Sequence, residues 1–212
     1  MILSTPHGTQ YEPTPEDVLW LLRAVETEGP PHELVAQTLI NGHLWERETF
    51  GRKRTLAAWV QDYAQPVSPK WMPGGTKYQE AIATARSDVE RTEIQKQALK
   101  RQLTNATRTR FSQVTIDAIR HAFTRPPRYP GAVDYAAAWV QKAPGWLPFS
   151  HPGPGERVNK FWARPGAVGW LGYRVDGAAP TLPEKNIGVG PWLATAAGIG
   201  ILALAHQRQK KG

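Results

Sequence analysis

Thr14-Pro-Glu-Asp-Val-Leu-Trp-Leu-Leu-Arg-Ala-Val-Glu-Thr-Glu-Gly-Pro-Pro31 reads as a helix with both ends marked. Thr14 is an N-cap, Pro15 suits the first helical position, and Glu16 and Asp17 put negative charge in the first turn. Gly29-Pro30-Pro31 stops it. Val18, Leu22 and Val25 form an apolar stripe bordered by Leu19 and Leu21. At roughly 100° per residue, Glu26 falls over Leu19 beside the stripe and Glu28 over Leu21 on the opposite border. Leu34-Val-Ala-Gln-Thr-Leu-Ile-Asn41 then predicts a second apolar helix. A carboxyl group between the two would be pushed toward its protonated form by apolar surroundings and by the negative end of the helix dipole. Such a group suits general acid work on a glycosidic bond. Periodicity prefers Glu26, with Glu28 as the alternative.

Four further segments, with the two helices above, support a common reading. Glu26-Thr-Glu-Gly29 with Val35-Ala-Gln-Thr-Leu-Ile-Asn41 resembles the Glu-Ala-x-Gly-Glu and Val-Ala-x-x-Ile-Leu-Asn-Arg elements of the SleB-like cell-wall hydrolases and related phage lytic transglycosylases. Tyr63-Ala-Gln-Pro-Val-Ser-Pro69 is similar to the Tyr-x-Gln-Pro-x-x-Pro segment of the phage enzymes. Ala132-Val-Asp-Tyr-Ala136, Gly145-Trp146 and Asn159-Lys-Phe-Trp162 are similar to their later cleft pieces. The resemblance implies a lysozyme-like domain that cleaves peptidoglycan glycan strands, with Glu26 at the position of the catalytic acid. It implies substrate contacts from Asn41, Tyr63, Gln65, Trp146, Asn159 and Phe161, with no metal and no organic cofactor. Trp146 and Trp162 also suit the stacking of sugar faces. The chain departs from the pattern at Gly42, where Arg usually follows the Asn, at Ser68, where Asn is common, and in a shorter loop between Glu26 and Asn41. These departures keep Glu28 open as the acid.

Composition narrows the chemistry. The 212 residues include no cysteine, which removes disulfides, thiol nucleophiles and cysteine-held metals. A 41% hydrophobic content with nine Trp excludes a disordered chain. The net charge of +8 is uneven: residues 51–128 hold 15 Lys and Arg against 6 Asp and Glu, whereas residues 1–50 hold 2 against 8. A basic middle can meet nucleic acid, an anionic lipid surface or envelope polyanions. Nucleic acid ranks last, because the cations are spread along predicted helices and form no dense Arg tract. His121 and His151 have no partner at metal-ligand spacing and read as structural or surface groups.

The expected architecture is mainly α, a lysozyme-like α+β domain with little strand over residues 14–180 and a C-terminal transmembrane helix. Residues 1–13 read as an irregular leader without a cleavable signal. Residues 55–64 and 114–123 read as short helices, residues 77–105 as a polar scaffold helix, and residues 129–177 as a wall of loops and short strands. Ile187 to His206 contains no Asp, Glu, Lys or Arg, and cations flank it. At about 1.5 Å per residue such a helix covers about 30 Å, one bilayer crossing. Gly190, Ala194 and Gly198 form a small-residue seam suited to self-association or to other membrane proteins of a virion, and residues 207–212 are a basic tail. The function expected is a membrane-anchored muramidase of the lytic transglycosylase type in a virion membrane or host envelope. The alternative is a non-enzymatic structural membrane protein with a hydrolase-derived fold.

Overall fold

Capping chemistry sets the bounds of the first helix. Thr14 Oγ1 accepts from Asp17 N while the Asp17 carboxylate accepts from Thr14 N, and α1 runs Pro15–Glu28 until Gly29, whose φ of 78° suits only glycine comfortably. In the computed structural model the described residues are 1–137, 142–149 and 159–182. Trp139, His151 and the uncharged run 187–206, with the expected membrane helix, lie outside them. Among the described residues no helix is long and apolar enough to cross a membrane.

The second helix, α2 (His32–Phe50), is longer than its sequence signal, and every residue from Leu34 to Glu46 is buried. A helix covered on all sides has no polar face, so periodicity marks its middle poorly. Around α2 pack α1, α3 (Leu56–Tyr63) and α6 (Gln113–Ala122). Thr55 and Ser112 cap the last two, accepting from Ala58 N and Thr115 N. Gly42 explains one departure from the hydrolase motif. A Cβ there would stand 2.6 Å from the Trp59 ring and 2.8 Å from the Val133 carbonyl oxygen, so the close approach of α2, α3 and the following wall leaves no room for the motif's arginine. Gly42→Ala is expected to destabilise the fold by about 2 kcal/mol, despite the better helix propensity of alanine. Calorimetry checks this: an unchanged or raised Tm would mean that the wall yields.

The polar stretch 77–105 is not one helix. It breaks into α4 (Thr76–Thr84) and α5 (Asp88–Lys100), followed by a π turn, Arg101–Asn105. The break follows a local signal, Ser87-Asp-Val-Glu90: Ser87 Oγ accepts from Glu90 N, and the Glu90 carboxylate accepts from Arg86 N. Two 3-10 turns, Gln65–Val67 and Pro69–Trp71, occupy the proline-rich loop before this hairpin.

The supposed leader is also ordered. Strand β1 (Ile2–Ser4) lies between β2 (Gln10–Tyr11) and β6 (Arg174–Asp176) in an antiparallel sheet, with Leu3 fully buried. Strands of two or three residues are too short to show alternation, and the partner here lies at the far end of the domain. The expected wall contains a second antiparallel sheet, in which β5 (Asn159–Ala163) is central to β3 (Asp134–Ala137) and β4 (Leu147–Phe149). Strand β3 meets α2 and carries the Tyr135 side chain to the end of α1. The architecture is mainly α with two small sheets.

Candidate active site

The two glutamates at the end of α1 have opposite environments. Partial burial alone would raise the Glu26 pKa, but hydrogen bonds from Thr115 and from the Ser112 amide and hydroxyl, with Arg108 at 3.7 Å, outweigh it and hold the carboxyl below its usual range. Glu26 is an ionised clasp between the end of α1 and the start of α6. The resemblance places a catalytic acid at this position, whereas these donors and Arg108 favour the ionised form of Glu26.

Glu28 is half-buried, and its Oε1 accepts 2.9 Å from the Tyr135 hydroxyl. Desolvation pushes its pKa up to about 7, against a smaller lowering by Tyr135. The helix dipole acts in the same direction as the desolvation. Burial, with Glu28 beside it, drives the Tyr135 phenol well above its usual range, so Tyr135 remains a donor at neutral pH.

Behind Tyr135 lies a second polar group. The Tyr63 hydroxyl donates to Asp134 Oδ1 and accepts from Tyr135 N at 3.1 Å. The Tyr63 ring stacks on Trp59 with centroids 4.6 Å apart and meets Tyr135 edge-on at 5.6 Å. Burial, then the Asp134 charge, keep the Tyr63 phenol protonated. Asp134 is buried and also faces Lys142 Nζ at 3.3 Å and Arg164 Nε at 3.5 Å. Lys142 and Arg164 in turn lie 4.8 and 5.6 Å from the Trp146 ring centroid. The geometry therefore joins Glu28, Tyr135, Tyr63 and Asp134, with Lys142, Arg164 and Trp146 on the side of Asp134.

The remaining expected contacts divide. Gln65 is exposed on the 65–67 turn, which packs against α1, and Asn159 is half-buried on β5 opposite Ala137. Trp146 is half-buried as well. Asn41 is fully buried, donating from Nδ2 to the Tyr129 carbonyl at 3.2 Å, and it ties α2 to the wall. Phe161 is fully buried with its centroid 6.2 Å from that of Tyr135. Neither side chain reaches a polymer in solvent, so both are removed from the substrate-binding set. His121 Nδ1 meets Glu33 at 3.1 Å, a surface pair as expected.

Asp134, Tyr135, Lys142 and Arg164 were not singled out from sequence. Asp134 and Tyr135 sit inside the quoted Ala132 to Ala136 piece, but only their pairing with residues some 70 and 107 positions away shows what they do. A groove of about 160 Å³ between α4 and α5, bordered by Trp71, Tyr78 and Arg101, shares no residue with this network.

The fold and site define a mainly α protein in which burial raises the pKa of one helix-end carboxyl group, Glu28, to about 7. No protein-family model, no curated protein and no solved structure matches the chain. The functional reading rests on the chemistry of the site.

Proposed function

We propose that this chain is a peptidoglycan-cleaving muramidase of the lytic transglycosylase type, on a lysozyme-like domain, with Glu28 as the catalytic acid. What supports the proposal is the placement of Glu28 at the end of α1 against the Tyr135 hydroxyl, where burial raises its pKa to about 7. Glu28 protonates the glycosidic oxygen between N-acetylmuramic acid and N-acetylglucosamine as the C1–O bond breaks. Its carboxylate then takes the proton of the muramic 6-hydroxyl, whose oxygen attacks C1 and closes an anhydro ring. One carboxyl group performs both transfers.

Asp134 favours this internal attack over hydrolysis. A retaining or inverting hydrolase needs a second carboxylate free to act as nucleophile or base, and Asp134 is instead committed to Tyr63, Lys142 and Arg164. Tyr63 is thus a positioning residue that holds β3, and through it Tyr135, against Glu28. Gln65, Trp146 and Asn159 remain the candidates for sugar contact. Residues 187–206 would anchor the enzyme in a virion membrane or host envelope, where a small-residue seam suits neighbouring helices.

Mass spectrometry of purified peptidoglycan digested with the full chain tests the proposal. Anhydro-muropeptides are the expected product. Reducing-end products would replace the transglycosylase by a hydrolytic muramidase, and no product would remove the enzyme. The burial of Asn41 and Phe161 favours a second reading in that last case, a structural membrane protein with a hydrolase-derived fold.

Tyr135→Phe supplies a pH signature. The phenol stabilises the carboxylate form of Glu28, so its loss raises the Glu28 pKa further above the usual carboxylate range. The basic limb of the kcat/KM profile is expected to move upward by on the order of one pH unit. A limb that stays in place while overall turnover falls would mean that Tyr135 acts only through packing.

A further inference from the structure

From Ile94 to Arg110 the chain carries Lys96, Lys100, Arg101, Arg108 and Arg110 and no Asp or Glu. Helix α5 and its π turn hold this segment by one side. Ala98 is buried, and Asn105 donates from Nδ2 to the Pro66 carbonyl at 3.1 Å. Arg101 lies over the Trp71 ring at 5.6 Å, and Arg108 faces Glu26.

The opposite side turns outward with Lys96, Leu99, Lys100 and Leu103 at spacings of three and four residues, which places them on one helical face. Leu99 is 47% exposed and Leu103 is 67% exposed, with Lys96 and Lys100 between and beside them. Neither lysine has an ion-pair partner among the described residues. Two exposed leucines beside unpaired ammonium groups suit a local contact with a bilayer surface: aliphatic side chains enter the acyl boundary while lysine stems lie flat and their charges stay at the headgroups.

We infer that this face of α5 and the π turn docks on an anionic lipid bilayer surface. Charge complementarity selects the occupant. Anionic headgroups meet Lys96 and Lys100, and the acyl boundary covers Leu99 and Leu103. A nucleic-acid backbone would satisfy the lysines and leave both leucines in water. The inference goes beyond the glycosidic chemistry and does not depend on it.

Because the chain contains no cysteine, an environment-sensitive fluorophore can be placed alone at position 103 through Leu103→Cys, with Gln10→Cys, at an exposed position of β2, as the reference. The full chain is combined with bilayers of phosphatidylcholine, with or without phosphatidylglycerol. The label at position 103 is expected to shift to the blue on anionic bilayers, weakly on neutral ones, and the label at position 10 on neither. Adding Lys96→Gln and Lys100→Gln should reduce the ratio of docked to undocked face about 30-fold, near fivefold for each charge removed. If the chain floats with anionic bilayers while position 103 stays as solvent-exposed as position 10, the docking face is refuted and anchoring by residues 187–206 stands. An equal shift on neutral bilayers overturns the role of charge. A response to duplex DNA without one to vesicles overturns the lipid assignment in favour of nucleic acid.

Discussion

Glu28→Gln is expected to reduce peptidoglycan cleavage by about 100- to 10,000-fold, the usual range for losing a general acid and base. Glutamine keeps the volume and can still accept from Tyr135, so the change removes the transferable proton and little else. The same substitution should stabilise the fold at high pH. Below about pH 4.5 the carboxyl group is protonated in the folded and unfolded chain alike. Between that value and about 7 only the unfolded chain releases its proton, so wild-type stability falls as pH rises, and above 7 the whole penalty is present. The gap amounts to about 3 kcal/mol. Thermal melts at pH 4 and pH 8 should therefore show similar Tm values at the lower pH and a more stable, inactive variant at the higher one. Wild-type activity in Glu28→Gln would return the acid to another residue. Glu26→Gln should instead lower stability, because it weakens the clasp to Ser112 and Arg108.

Asp17→Ala is expected to be the most damaging single change to the fold. Asp17 is fully buried, and its carboxylate accepts from the Thr14 amide at 2.8 Å, the Tyr11 hydroxyl at 2.7 Å and the Ala57 amide at 2.6 Å. It thereby closes the N-terminal ends of α1 and α3 together, where both helix dipoles favour a negative group. The Tyr11 hydroxyl continues the link by accepting from Leu56 N at 2.9 Å. Alanine would leave the Ala57 amide and the Tyr11 hydroxyl buried without an acceptor, at a cost of about 4 kcal/mol. At about 2–4 °C per kcal/mol for a domain of this size, Tm should fall by about 8–16 °C. The milder substitution Asp17→Asn keeps one acceptor oxygen and should lose about half as much. A loss below about 1 kcal/mol for the alanine variant would contradict a buried double cap.

How far the chain could be read follows from the range of each signal. Thr14, Pro15 and Gly29 bound α1 within its own residues, Thr55 bounds the start of α3, and Gln113–Ala122 lies within one residue of the expected 114–123. These are short-range rules of capping and backbone conformation, legible without a fold. The Ser87-Asp-Val-Glu90 box was equally local and would have divided the 77–105 stretch in two. The strands at 2–4 and 10–11 had no such signal, because their order comes from β6 at the other end of the domain.

Local pattern thus settled the ends of α1, α3 and α6, the mainly α class and the pair of carboxylates at the end of α1. Packing alone decided between those carboxylates. Glu26 and Glu28 are two positions apart on the same last turn, with apolar neighbours on both sides, and periodicity assigns them nearly equal surroundings. The start of α6, 86 residues on, supplies Ser112 to one; β3, 107 residues on, supplies Tyr135 to the other. A pKa depends on the dielectric and the donors within a few ångströms of the group. For these two residues the hydrogen-bond donors are brought in from distant chain, so tertiary contact makes one glutamate an ionised clasp, while burial raises the pKa of the other to about 7.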